Sequence, residues 1–201
     1  MLGIYSTACS PAPSGPSCAG KTTLARQLQH FLPNCHLIHQ DDFYKNDQDI
    51  PIDPDTGLQS WDCDDAFCWD QLMATITQFR NTGKPPSRES KELPSGNLKL
   101  STEAMAHCQK LSKNLLKPTA SSGGGPILLV DGIMLFHRAA LDQLFDCRLL
   151  VTSTYSVIKK RREGRLGYAT IEGWWTDPPQ YFDNIVWPAY QSYFEQIQPR
   201  I

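Results

Sequence analysis

The chain has 201 residues, of which 40% are hydrophobic, and its formal net charge is −2 at pH 7. A chain of this length buries one good hydrophobic core, so we expect a single domain over residues 1–201. The near-neutral charge predicts no general affinity for nucleic acid or for an anionic membrane surface. No apolar run approaches the length needed to span a bilayer.

The seven cysteines are odd in number and contain no C-x-x-C pair. This pattern favours reduced thiols over a disulfide framework or a zinc site. The N-terminus also lacks the basic flank of a signal peptide. The sequence therefore predicts a protein of the cytosol or the nucleus.

The first predicted strand is weak. Residues 2–9 are only faintly apolar, and the segment Ser10-Pro-Ala-Pro13 follows. Because proline cannot donate to a sheet ladder, we expect this strand to be short and to end before Pro11.

The segment Gly15–Thr22 fits the phosphate-binding pattern G-x-x-x-x-G-K-[ST]. Its glycines allow backbone N–H groups to surround phosphates, Lys21 adds a positive charge, and the Thr22 hydroxyl can ligate Mg²⁺. A surface turn before a helix is the alternative interpretation. The predicted nucleotide-binding residues are Gly15, Ser17, Cys18, Ala19, Gly20, Lys21, Thr22 and Thr23.

Strand-like and helix-like runs alternate along the rest of the chain. Apolar residues recur at helical spacing from Leu24 to Leu32, and strand-like runs cover 35–39, 126–130 and 147–151. Apolar strands separated by helices predict an α/β fold of three layers, α/β/α, around a mainly parallel sheet. Ligands then gather at the carboxyl ends of the strands, where Gly15, Asp41 and Asp131 are expected to converge.

Two further segments lie between the second and third strands. An apolar stripe from Phe67 to Phe79 predicts a helix packed on the core. Residues 81–126 are rich in Pro, Ser, Gly, Lys and Asn, and we interpret them as a low-complexity insertion, mobile at both ends, with a weak helix over 103–116.

Three clusters bear on chemistry, and each has an alternative interpretation. Asp41 and Asp42 follow the second strand, where a carboxylate can accept a hydroxyl proton, although paired aspartates also cap helices. Trp61-Asp62 suits a planar base and a ribose diol, although the pair is also typical of core packing. The basic run 159–165 is a solvated helix face, a nuclear-import signal or a set of arginines closing over a triphosphate.

From Ser14 to about Tyr193 the chain resembles nicotinamide riboside kinases, members of the P-loop nucleoside kinases that include uridine kinases. The resemblance rests on the phosphate-binding loop and on several shorter segments, which together are specific. These are Leu32-Pro-Asn-Cys35, Gln40-Asp-Asp-Phe43, Trp61-Asp62, Ile127–Gly132 with Leu135-Phe136, Lys160–Arg162, Tyr181–Asp183 and Val186–Pro188.

The resemblance implies roles for these residues. Asp41 is the general base and is linked to Mg²⁺, Lys21 is the second catalytic residue, and Thr22 ligates the metal together with Asp41 and Asp131. The implied ATP contacts in the lid, at about 157–180, are Arg161 and Arg165. The implied substrate-binding residues are Asp41, Phe43, Tyr44, Trp61, Asp62 and Arg162.

The chain departs from the family pattern at both ends. The resemblance implies a hydrophobic strand directly before the loop, where this chain has two prolines, and a further strand and helix after Trp187-Pro188, which we expect to be missing. We interpret the chain as a kinase that transfers the γ-phosphoryl of ATP to the 5′-hydroxyl of nicotinamide riboside. The alternatives are a uridine/cytidine-type kinase and a nucleotide-binding protein without turnover.

Overall fold

The computed structural model describes residues 10–87, 90, 100–115, 125–170 and 172–200. Its sheet has four parallel strands, β1 (Pro11–Ser14), β2 (Cys35–His39), β3 (Ile127–Asp131) and β4 (Cys147–Leu150). Strand β2 pairs with β3 and β1 pairs with β4, and a bridge between Ser14 and Gly132 joins the two pairs in the order β2-β3-β1-β4. The three later strands lie where the sequence predicts them.

The prediction that the first strand ends before Pro11 is wrong, because β1 begins at that residue. The carbonyl of Ser14 accepts from Val151 beside β4, whereas the carbonyl of Pro13 accepts from Gly132 beside β3. Since successive residues of a parallel strand bond to opposite neighbours, Pro11 and Pro13 both face β3. The ladder to β4 therefore keeps its donors, and the missing N–H groups leave only a single bridge in the backbone hydrogen bonding between β1 and β3 among the described residues.

The described residues contain six α-helices. They are α1 (Lys21–Phe31), α2 (Trp69–Thr82), α3 (Thr102–Leu115), α4 (Ala139–Asp142), α5 (Tyr155–Glu163) and α6 (Trp187–Ile197). The apolar stripe predicted for α2 is confirmed, because Trp69, Leu72, Ile76 and Phe79 are all buried. The stripe predicted for α1 packs less completely, since Leu24 is 37% exposed.

Helix α3 confirms the helix predicted within the 81–126 segment. The Ser112 hydroxyl donates to the carbonyl of Phe31 at the end of α1. The flanks predicted to be mobile fall largely on 88–89, 91–99 and 116–124, which lie outside the described residues.

Residues of the segment after β4, which we call the lid segment, lie beside the phosphate-binding loop. Helix α5 leads into a small antiparallel hairpin, β5 (Tyr168–Ala169) with β6 (Trp174–Trp175). A π-helical turn, Phe182–Val186, then continues into α6. No helix among the described residues is long and apolar enough to cross a membrane.

Candidate active site

The phosphate-binding loop links β1 to α1. Gly15 has φ +145°, and a Cβ atom there would lie 2.0 Å from the carbonyl oxygen of Val151, so the loop requires glycine at this position. Helix α1 begins directly after Gly20. Lys21 is buried, and its Nζ donates to the carbonyl of Pro16 at 2.8 Å, across the mouth of the loop. The loop thus presents an ammonium group and a helix N-terminus to the same space.

Thr22 and Asp131 meet where the loop faces the end of β3. The Thr22 hydroxyl donates to Oδ2 of Asp131 at 2.5 Å, and His39 Nδ1 lies 3.1 Å from the same oxygen. The other carboxylate oxygen, Oδ1, is buried and has no hydrogen-bond partner among the described residues. An orphaned carboxylate oxygen beside a threonine hydroxyl fits a hard cation such as Mg²⁺, which prefers oxygen ligands.

Asp41 and Asp42 lie in a short 3₁₀ segment, Gln40–Phe43, directly after β2. Asp41 is exposed, whereas Asp42 is buried and accepts a hydrogen bond from Ser90 at 3.1 Å. Both line a cleft of about 790 Å³, open in part to solvent, that also reaches Ser17 of the loop. The structure thus brings the loop, Asp41 and Asp131 to one edge of the sheet, as predicted.

Aromatic side chains form one side of this cleft. Tyr44 stacks on Phe67, and its ring meets the edge of Trp61 at 5.3 Å between centroids. Trp61 also contacts Trp175 of β6, at 5.7 Å between centroids. Phe43 was expected to bind substrate, but it is 2% exposed and belongs to the hydrophobic core, so the structure corrects that prediction.

Asp62 lies deep in the cleft beside Arg162 of the lid. Arg162 Nη1 is 3.4 Å from Asp62 Oδ2, and both side chains are buried. Arg162 also donates from Nε and Nη2 to Asp177, at 2.6 and 3.0 Å. Burial raises the pKa of Asp62, although the charge of Arg162 opposes this shift. Two carboxylates therefore share one buried guanidinium.

The other two lid arginines lie beside the phosphate-binding loop. Arg161 Nη1 is 3.3 Å from the carbonyl oxygen of Cys18, and the Arg165 guanidinium lies 4.2 Å from the centre of the Tyr168 ring. The Tyr168 hydroxyl in turn lies 3.6 Å from the Cys18 sulfur. These contacts place Arg161 and Arg165 of the basic run beside Cys18 of the loop.

Sequence reasoning missed the residues that hold the lid in place. Asp177 accepts from Arg162 and from the Trp175 indole N–H, at 2.9 Å for the latter. Thr170 donates to Asp47 Oδ2 at 2.7 Å and so joins the hairpin to the segment after β2. Asp177 is 15 residues from Arg162 and Thr170 is 123 residues from Asp47. No local pattern marks such pairs.

A parallel sheet with a phosphate-binding loop at its carboxyl edge, followed by an arginine-bearing lid, defines a P-loop kinase. A solved structure described as "a Possible Uridine Kinase from Bacillus stearothermophilus" agrees in fold, with a TM-score of 0.51 and 17% identity over 96% of this chain and 84% of that one. No protein-family model matches the chain.

The relatives of this chain include proteins named nicotinamide riboside kinase. The Schizosaccharomyces pombe enzyme is 35% identical over 178 residues, which is 88% of this chain and 75% of the relative. The Saccharomyces cerevisiae enzyme is 33% identical, over 92% of this chain and 76% of the relative. Human nicotinamide riboside kinase 1 is 30% identical over the same shares. The chain belongs to the nicotinamide riboside kinase family and is an enzyme of the kinase class.

Proposed function

We propose that the chain transfers the γ-phosphoryl group of ATP to the 5′-hydroxyl of nicotinamide riboside, giving nicotinamide mononucleotide for NAD synthesis. One observation carries the proposal. A single cleft joins the phosphate-binding loop to Asp41, Asp62 and a group of aromatic rings, in a chain 30–35% identical to nicotinamide riboside kinases.

The phosphate-binding loop and the lid bind the phosphate donor, ATP. The N-terminus of α1 and the Lys21 ammonium attract the β- and γ-phosphates. Arg161 and Arg165 lie on the lid side of the same loop, where their charge offsets that of the triphosphate. Phosphoryl transfer depends mostly on such positioning and charge stabilisation.

The acceptor lies in the aromatic half of the cleft. In this proposal Asp62 accepts hydrogen bonds from the ribose hydroxyls while Arg162 limits the cost of burying that carboxylate. Asp41, which is exposed to the cleft, takes the proton of the attacking 5′-hydroxyl. Tyr44 closes this side of the cleft against water.

Thr22, Asp41 and Asp131 are the proposed ligands of Mg²⁺. Asp131 Oδ1 supports this assignment, because it has no partner within the described part of the chain and a buried carboxylate oxygen is costly without one. Bound Mg²⁺ supplies positive charge that neutralises phosphate charge as it develops.

We further propose that the helices and the sheet form three layers, α/β/α. We also propose that the enzyme acts in the cytosol or the nucleus.

A direct assay tests this function. The purified chain is given ATP and Mg²⁺ with nicotinamide riboside, uridine or cytidine, and phosphorylated product is measured. We expect turnover with nicotinamide riboside and a lower kcat/KM with both pyrimidine nucleosides. Product only with uridine or cytidine would overturn the substrate assignment, and a thermal shift by ATP without any product would indicate a binding protein.

A further inference from the structure

A buried histidine lies behind Asp131, one of the proposed metal ligands. His39 is the last residue of β2, and the register of β2 with β3 places it directly opposite Asp131. Both side chains are buried. The histidine Nδ1 lies 3.1 Å from Asp131 Oδ2, and because a carboxylate oxygen accepts, the ring N–H is the donor.

The two hydrogen bonds that the Asp131 carboxylate accepts from described side chains end on the same oxygen. The Thr22 hydroxyl donates to Oδ2 at 2.5 Å, beside the N–H of His39. Oδ1 is buried and has no partner in the part of the chain that the structure describes. Two donors on one oxygen orient the carboxylate and leave the lone pairs of the other oxygen for a ligand, as is typical of carboxylates that bind metals.

We propose that His39 is a positioning residue for Mg²⁺ binding, because it holds Asp131 by Oδ2 and so leaves Oδ1 for the metal. The inference rests on the proposed function, in which Asp131 is a ligand of Mg²⁺. Thr22 belongs to α1, whereas His39 belongs to the strand paired with β3, so the histidine orients the carboxylate independently of the phosphate-binding loop. Removal of a group that hydrogen-bonds to a metal ligand typically weakens metal binding about ten- to a hundredfold.

The test separates the N–H donor from the volume of the ring. His39→Asn keeps an N–H donor close to the position of Nδ1, and His39→Leu keeps apolar volume without a donor. His36→Leu is the matched control, since His36 lies three residues earlier in β2, is half-buried, and its ring contacts Phe79. Asp131→Asn changes the proposed ligand itself.

Binding of ADP to the full chain is measured by calorimetry, once with excess Mg²⁺ and once with EDTA, so that metal binding is observed without turnover. We expect His39→Leu to weaken ADP binding about tenfold in Mg²⁺ and to leave it unchanged in EDTA. His39→Asn should keep most of the affinity in Mg²⁺, and His36→Leu should keep all of it.

The Mg²⁺ concentration for half-maximal activity should rise in His39→Leu and stay near the parent value in His36→Leu. The Tm of each variant without ligand shows whether it is folded. If His39→Leu is unfolded, His39→Phe, which has a ring without a donor, takes its place.

Two results would overturn the proposal. One is an equal weakening of ADP binding with and without Mg²⁺ in His39→Leu, which would assign the histidine to the fold alone. The other is unchanged binding in Mg²⁺ by His39→Leu, whether or not Asp131→Asn loses it. Failure of the proposed function looks different, because the parent would then bind ADP with Mg²⁺ but form no product from nicotinamide riboside.

Discussion

Arg162 and Asp177 form a two-point ion pair that fastens the end of helix α5 to the segment after the lid hairpin. Nε and Nη2 of the arginine donate to the two carboxylate oxygens, at 2.6 and 3.0 Å, and the arginine side chain is 5% exposed. Bidentate pairs of this kind fix orientation as well as charge. The lid geometry therefore depends on one carboxylate.

Replacing the Asp177 carboxylate should lower both the stability of the fold and the affinity for the nucleoside. In Asp177→Asn the amide nitrogen would face a guanidinium donor, so we expect a loss of about 2 kcal/mol in the free energy of unfolding. KM for the nucleoside should rise more than kcat falls. Glu163→Gln on the same helix is the control, because the ion pair of Glu163 with Lys159, at 3.7 Å, is exposed and solvent-screened. Equal losses in both variants, by denaturant titration, would contradict this role.

Asp62 should show opposite effects on activity and stability. Burial raises the pKa of Asp62 in the folded chain above its unfolded value, so the ionised form opposes folding above that pKa, and the opposition is relieved as pH falls through it. Asp62→Asn leaves Arg162 paired with Asp177. We therefore expect an unchanged or higher Tm at pH 7, with kcat/KM for the nucleoside at least tenfold lower.

The Tm of the parent and of Asp62→Asn is measured from pH 7 to pH 4. The difference between the two Tm values reports on the Asp62 carboxyl, because the other acidic groups titrate in both proteins. As pH falls, the Tm of the parent should rise relative to the Tm of Asp62→Asn. The activity of the parent should decline over the same range. A parent that instead loses stability relative to Asp62→Asn on acidification would show that the pKa is lowered.

Lys21→Ala tests whether the loop supports catalysis. Removing one preorganised positive donor should cost about 3 kcal/mol of transition-state stabilisation, or more than a hundredfold in kcat/KM. Lys110→Ala is a charge-matched control, since Lys110 is exposed on α3. If steady-state turnover of Lys21→Ala were within tenfold of the parent, the loop would have no role in catalysis.

Asp41 and Asp42 should behave differently in spite of their adjacency. Asp41 is exposed to the cleft, so Asp41→Asn should cut the phosphorylation rate at least about a hundredfold while nucleotide binding survives. Asp42 is buried and accepts from Ser90, so Asp42→Asn should affect stability more than the chemical step. Single-turnover rates and thermal shifts with ATP check the pair, and the reverse pattern would exchange the two roles.

Much of this architecture could be predicted from local patterns. The phosphate-binding loop, three strands and the buried face of α2 each depend on residue spacing within a short segment. The effect of Pro11 and Pro13 could not be predicted in this way. It depends on which neighbour each N–H would face, and that is known only once the strand order is known.

The aromatic side of the site shows the same limit. Phe43 follows two aspartates and was expected to bind substrate, yet the chain turns its ring into the core. Trp175 carries no local signal that separates it from Trp174. Its position comes from Asp177 and from Trp61, which is 114 residues earlier in the chain, so only the folded structure distinguishes the two tryptophans.

The two prolines of β1 also create a seam in the sheet. On one side of it, β2 and β3 carry Asp41 and Asp131, and on the other side β1 and β4 carry the phosphate-binding loop. The backbone crosses this seam at one bridge, and the hydrogen bond from Thr22 to Asp131 crosses it again at the active edge. A ligand bound by both the loop and Asp131 would span the seam. Its binding would therefore stabilise the association of the two strand pairs in the folded state.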